Sequence, residues 1–131
     1  MDPEPGQRGH LRVVVIDADE RVRESLVGLL CIGDKLEVVG DAGQPGTALD
    51  IVLATDPDIV VMDPRLPELD GGRSLIARFR AAAPRVRILL IGASALEGTD
   101  LERAADGFVR KTFRPSDLVA AVIAAAIPLA G

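Results

Sequence analysis

Hydrophobic and polar positions follow two alternating rhythms along this chain. Leu11 to Ile16, Leu36 to Val39, Ile59 to Met62, Val86 to Ile91 and Gly107 to Val109 are short, mostly β-branched apolar runs of strand length. Between them, apolar residues recur at helical spacing: Val22, Leu26, Leu29 and Leu30, then Ala48, Leu49, Val52 and Leu53, then Leu75, Ile76 and Phe79. The first of these helices is expected from an Asp19 cap to about Ile32, and the third over Gly72 to Ala83, stopped by Pro84. Glu97 to Ala105 has room for only a short helix. Ser116 is placed to cap a last one carrying Leu118, Val119, Val122, Ile123 and Ile127. Five β-α repeats predict an α/β fold, a parallel sheet with right-handed crossovers and helices on both faces. Near-continuous apolar strands fit such a sheet, because each is covered on both sides.

Composition narrows this picture. The 131 residues suit one domain, and 48% hydrophobic content supplies a core. With three Phe and no Trp or Tyr, that core is aliphatic. Residues 1–10 are expected to be a disordered lead-in to a domain over 11–131, with no apolar centre for a signal peptide. No segment approaches a membrane span. A net charge of −5 without a basic block argues against direct nucleic-acid contact by this domain. The single cysteine excludes a disulfide within the chain and points to a reducing cytoplasm. Flanked by Leu29, Leu30 and Ile32, Cys31 is expected to be a buried helix thiol. His10, the sole histidine, reads as a tail or strand-start residue, since no Ser or Cys is recognisable beside it.

The candidate chemistry lies at strand ends. In an open α/β sheet, ligands bind outside the carboxyl ends of the strands. Strand one ends at Asp17, strand three at Asp63, strand four at Gly92-Ala93-Ser94, and strand five runs into Arg110-Lys111. Close carboxylates repel unless a cation joins them. Mg²⁺ takes one or two carboxylates plus phosphate oxygens, and a lysine adds a point charge for a phosphoryl oxygen. The set suits phosphoryl transfer onto an aspartate. Any one of these residues alone would read as a strand terminator; three at matching strand ends argue for a site.

With these residues in view, the chain resembles the receiver domain of two-component response regulators, the CheY-like family, over about residues 11–127. The resemblance rests on Val13-Val14-Val15-Ile16-Asp17, on Pro57-Asp58-Ile59-Val60-Val61-Met62-Asp63 with Leu66-Pro67 and Asp70-Gly71, and on Asp106 through Lys111. The Asp-Gly-Phe before Lys111 is most similar to receivers that precede a LuxR-type helix-turn-helix domain. The resemblance implies a flavodoxin-like (βα)5 sandwich with sheet order 2-1-3-4-5. It implies Asp63 as phosphoacceptor and Lys111 as the phosphate-pairing lysine. It implies Mg²⁺ held by Asp17, Asp63 and the backbone carbonyl of Arg65, with Phe108 as the aromatic switch residue. The implied partners are a histidine kinase or phosphotransfer protein and a C-terminal DNA-binding domain outside this chain. The domain would be regulatory rather than an enzyme, with at most slow autophosphorylation and autodephosphorylation.

Four departures from the family pattern change that expectation. Ala18 replaces an acid usually in contact with Mg²⁺, so metal binding is expected to be weak; Asp19 reads better as a helix cap than as a substitute ligand. Gly92 stands where Thr or Ser usually binds the phosphoryl group; Ala93 keeps the small residue that follows, and Ser94 lies too far along to substitute readily. Pro64 removes a backbone N–H beside the acceptor. The stretch from Gly92 to Lys111 is about three residues short for the family, nearly one turn of helix four. A hydrogen bond to a charged group contributes about 1.5–3 kcal/mol, so the missing hydroxyl weakens coupling between phosphorylation and conformation roughly tenfold or more.

Two functional readings therefore stand together: a phosphoacceptor in a phosphorelay, and a pseudo-receiver that binds a protein without phosphate. A flavodoxin-like enzyme or nucleotide binder is disfavoured, since no Gly-rich phosphate loop follows strand one. The Ala-rich last helix, Val119 to Ile127, offers a homodimer face, but its apolar positions are equally those of a core-facing helix, which is the preferred reading.

Overall fold

The computed structural model describes residues 10–67, 71–92, 100–111 and 114–127. The strands are β1 Leu11–Ile16, β2 Leu36–Ala42, β3 Ile59–Met62, β4 Arg87–Gly92 and β5 Gly107–Arg110. The helices are α1 Glu20–Leu30, α2 Pro45–Thr55, α3 Gly71–Ala82, α4 Asp100–Ala104 and α5 Pro115–Ala126. The strands form one parallel sheet in the order β2-β1-β3-β4-β5, the flavodoxin-like arrangement expected.

The period-two alternation of the strands divides the core into two layers. Val14, Ile16, Val60, Met62, Ile88 and Leu90 face α2 and α3, burying Ala48, Val52, Leu75, Ile76 and Phe79. Val13, Val15, Ile59, Val61, Leu89 and Ile91 face α1 and α5, burying Leu26, Leu30, Leu118, Val122 and Ala125. Every residue of β3 is buried, which fits a central parallel strand covered twice. At about 25 cal/mol per Å² of apolar surface, this two-sided burial is the main stabilising term.

Local chemistry sets the element ends. The Asp19 side chain accepts from the backbone N–H of Arg21 (2.9 Å) and Val22 (3.1 Å), capping α1 as expected. The helix stops at Leu30, and Cys31 is its C-cap. Cys31 is exposed and not a buried thiol, because the last turn directs Leu30 to the core and leaves position 31 facing solvent with Ile32. Leu53 is likewise exposed; Ala48 and Val52 carry the buried face of α2. Ser116 does not cap α5. Pro115 takes the first helical position and Arg114 the cap, since proline's fixed φ suits N1 and its missing N–H is no loss there.

β2 runs on past Gly40 to Ala42. Its pairing with β1 slips between Val13 and Val14, so that Val13 faces Val38 and Val14 faces Gly40. A Cβ at Gly40 would lie 2.6 Å from Cγ2 of Ile51, so glycine lets α2 approach the sheet here. Of the expected lead-in only His10 is described; its Nε2 lies 2.5 Å from Oε2 of Glu37 on the neighbouring strand. The short helix four is observed as α4, while Ala93, Ser94 and Glu97 lie outside the described residues.

Candidate functional site

Parity brings the candidate residues together. Asp17 follows β1, Asp63 follows β3 and Lys111 follows β5. Each is one step beyond its strand and keeps the odd-numbered alternation that faces α1 and α5. Parallel register aligns the ends: Ile16 pairs with Met62, Met62 with Leu90, and Gly92 with Arg110. Backbone hydrogen bonds carry this alignment one residue further, from Asp63 N to Ile16 O (3.0 Å), from Asp17 N to Ala42 O (3.1 Å) and from Lys111 N to Gly92 O (3.0 Å).

Both carboxylates are buried, Asp17 at 3% and Asp63 at 2% exposure, so each needs compensation. Lys111 supplies it to both. Its Nζ lies 2.6 Å from Oδ2 of Asp63 and 3.2 Å from Oδ2 of Asp17. The other oxygen of Asp17 accepts from the Asp19 backbone N–H at 2.9 Å. Arg23 fastens the β1 end from below, donating from Nη1 to the Asp17 carbonyl (2.7 Å) and from Nε to Asp41 (2.9 Å). Glycine at position 43 clears the space, since a Cβ there would meet Arg23 Nη1 at 2.6 Å.

Arg65 is the residue the sequence did not reveal as a side-chain participant. Its backbone N–H donates to Asp63 Oδ1 at 2.9 Å, closing a turn across Pro64. Its guanidinium then folds back, with Nε 3.2 Å from Oδ1 and Nη2 2.8 Å from Oδ2 of the same carboxylate. This is the side-on, two-point geometry that makes arginine–carboxylate pairs strong. The only sequence signal was proximity, two positions past the acid.

Burial pushes the Asp63 carboxyl up, but the hydrogen bonds of Arg65 and Lys111 outweigh it and hold the group below the usual aspartate value. For Lys111, burial pulls the ammonium down while Asp63 and then Asp17 pull harder the other way, so it stays charged. Asp63 likewise raises the arginine in this cluster.

The remaining candidates fall around this centre. Gly92 is buried at the end of β4 and presents no hydroxyl. Ala18 is exposed and its side chain carries no ligand atom; the Asp19 side chain is engaged with the first turn of α1. Pro64 is buried. Phe108 is partly buried against the α2/α3 layer, on the opposite face of β5 from Lys111. The site suits holding an anionic group at the Asp63 carboxylate between two cations.

Comparison with known proteins decides what kind of domain this is. The profile of the response regulator receiver domain family matches residues 13–123. The chain belongs to that family. It is 33% identical over 125 residues to the probable transcriptional regulatory protein NarL of Mycobacterium tuberculosis, covering 93% of this chain and 56% of that protein. It is 34% identical over 118 residues to the DNA-binding transcriptional activator DevR/DosR of the same organism, covering 86% and 52%. The receiver domain thus spans about half the length of the curated relatives it matches. The solved signal receiver domain of M. tuberculosis NarL superposes with a TM-score of 0.79 at 32% identity, covering 89% of this chain and 96% of that one. A LuxR-family two-component response regulator from an Aurantimonas species gives 0.80 at 31%, covering 89% and 85%. This is a receiver domain of two-component signal transduction, similar to NarL- and DevR-type regulators.

Receiver domains generally bind Mg²⁺ at the phosphorylation site. The donor set of this one fits the ion poorly. All four carboxylate oxygens of Asp17 and Asp63 already accept hydrogen bonds, and two cations face them. No third His, Cys, Asp or Glu joins them in a metal-holding group among the described residues.

Proposed function

We propose that this receiver domain accepts a phosphoryl group on Asp63 from a histidine kinase or phosphotransfer protein in the cytoplasm and controls an output by doing so. The observation that carries the reading is the Lys111 ammonium 2.6 Å from Asp63 Oδ2, with Asp17 buried beside it. Lys111 is placed to hold a phosphoryl oxygen once Asp63 is esterified, and Asp17 keeps that lysine in position. With Gly92 and Phe108 at the switch positions, the hydroxyl-to-aromatic relay of the family lacks its first member. Mg²⁺ binding is weak in this reading: Asp17, Asp63 and the Arg65 carbonyl are the ligands left when Ala18 replaces an acid. The domain itself spans residues 11–131.

A DNA-binding output domain, as named for the DevR/DosR relative, and a second copy of this chain complete the partners of this reading. The shallow groove of about 770 Å³ between the end of α1 and α5, lined by Leu29, Ile32, Val119 and Ile123, is the face for the second copy.

A phosphate-independent pseudo-receiver is the second reading. Arg65 favours it, because its two-point contact already neutralises the acceptor. Incubation with acetyl phosphate followed by intact-mass analysis separates the two. The acceptor reading expects one phosphoryl group on the wild type and none on Asp63→Asn; an unmodified wild type favours the pseudo-receiver.

A further inference from the structure

We infer that the Arg65 guanidinium is the resident cation of this site, standing at the acceptor carboxylate in place of a divalent metal and freeing phosphoryl acceptance from a metal requirement. The inference deepens the acceptor reading and rests on it only where phosphoryl transfer is concerned.

Charge is the first ground. Among the described residues, Asp17 and Asp63 face Lys111 and Arg65, two charges of each sign without any further ion. A dication entering would meet two cations already within hydrogen-bond distance of the same oxygens. Geometry is the second ground. Nε and Nη2 of Arg65 straddle both oxygens of Asp63, while the Arg65 N–H holds Oδ1 from the backbone. Access is the third. The Arg65 side chain is 66% exposed whereas Asp63 is 3% exposed, so the guanidinium reaches in from solvent and is free to move with the phosphoryl group without disturbing the core. The fourth ground is the surrounding chain. Ala18 withholds a metal ligand, and Asp19 is committed to α1. An alanine at position 18 and a guanidinium on Asp63 act in the same direction, each lowering the pull of the pocket on a dication.

In the transfer step an Asp63 oxygen forms a bond to phosphorus while the bond from phosphorus to the donor's leaving atom breaks, a ring nitrogen in a phosphohistidine or an oxygen in an acyl phosphate. With an acyl phosphate donor the departing carboxylate keeps the electron pair and needs no proton. The new phosphoryl oxygens carry the negative charge that the carboxylate gives up. A planar guanidinium with parallel N–H donors holds such oxygens as readily as a carboxylate.

The test compares wild type with Arg65→Ala and Arg65→Lys, all at an exposed position. Mn²⁺ is titrated while paramagnetic broadening of amide signals around Asp17 and Asp63 is followed. Arg65→Ala is expected to bind Mn²⁺ at least about tenfold more tightly than wild type, the equivalent of one charged hydrogen bond, with Arg65→Lys between them. Equal affinity in wild type and Arg65→Ala overturns the inference. Acetyl phosphate labelling is then run with EDTA or with Mg²⁺. Wild-type labelling that is indifferent to EDTA, with Arg65→Ala labelled only in Mg²⁺, supports the inference; wild-type labelling abolished by EDTA overturns it. Should no variant be labelled under either condition, the acceptor reading fails, and the Mn²⁺ titration alone upholds or overturns the role of Arg65.

Discussion

Lys111 is the residue on which the site's electrostatics turn. It touches two carboxylates that are each almost fully buried, so removing it takes the ammonium away from Asp17 and leaves Asp63 to Arg65, with the two like charges less well offset. Lys111→Met is expected to destabilise the domain by about 1–3 kcal/mol at neutral pH, measured by urea unfolding. Adding Asp63→Asn to that variant removes one of the two charges and is expected to recover part of the loss. If Lys111→Met is neutral, the lysine does not hold the pair together. The residue scale is also where the sequence was most and least informative. Asp17, Asp63 and Lys111 were legible because each directly follows an apolar run, and strand ends in a parallel sheet share a rim. The Arg65 side chain was not, because its direction follows from a turn closed across Pro64 and from a charge that lies in three-dimensional reach. Cys31 was misread for a related reason: apolar neighbours in sequence do not share one face of a helix end.

At the scale of elements, β2 and α2 depend on an atom that is absent. Gly40 sits beside the slip in β1–β2 pairing, and a Cβ there would meet the Cγ2 methyl of Ile51 at 2.6 Å, on a β-branched side chain that is stiff at χ1. Gly40→Ala is expected to cost about 1–3 kcal/mol in unfolding free energy. Gly40→Ala combined with Ile51→Ala is expected to cost less than the two single losses together, since truncating Ile51 removes the clashing Cγ2. Strict additivity in that double-mutant cycle would mean that α2 shifts away freely. Helix faces were read well where spacing was regular, as in α3 with Leu75, Ile76 and Phe79. Helix ends were read less well, as in α5, where Pro115 and not Ser116 fixes the start.

For the whole molecule, the paired charges predict how stability responds to pH. The Asp63 carboxyl lies below its ordinary value of 3.8, so its stabilising contribution is fully present above that value and is lost as pH falls through the lower, folded one. Lys111 lies above its ordinary 10.5, so its contribution is fully present below that value and is lost as pH rises through the higher, folded one. Between 3.8 and 10.5 Asp63 and Lys111 are expected to add no slope to the unfolding free energy. Asp63→Asn is expected to flatten the acid limb in urea titrations between pH 2 and 5, where roughly such a depressed aspartate acts. An acid limb identical to wild type would place the titrating group elsewhere.

The order of apolar runs and helical spacings was enough to specify a parallel α/β sheet, and the residues following those runs were enough to specify two acids and a lysine at its rim. These follow from period and topology, which are local properties repeated along the chain. Which cation faces the acceptor was decided only by the folded arrangement. Arg65 sits two residues from Asp63, yet nothing in that spacing distinguishes a solvated arginine from one clamped on a buried carboxylate. The clamp exists because the sheet buries Asp63, the turn aims Arg65 back at it, and no acid at position 18 competes with it for a cation.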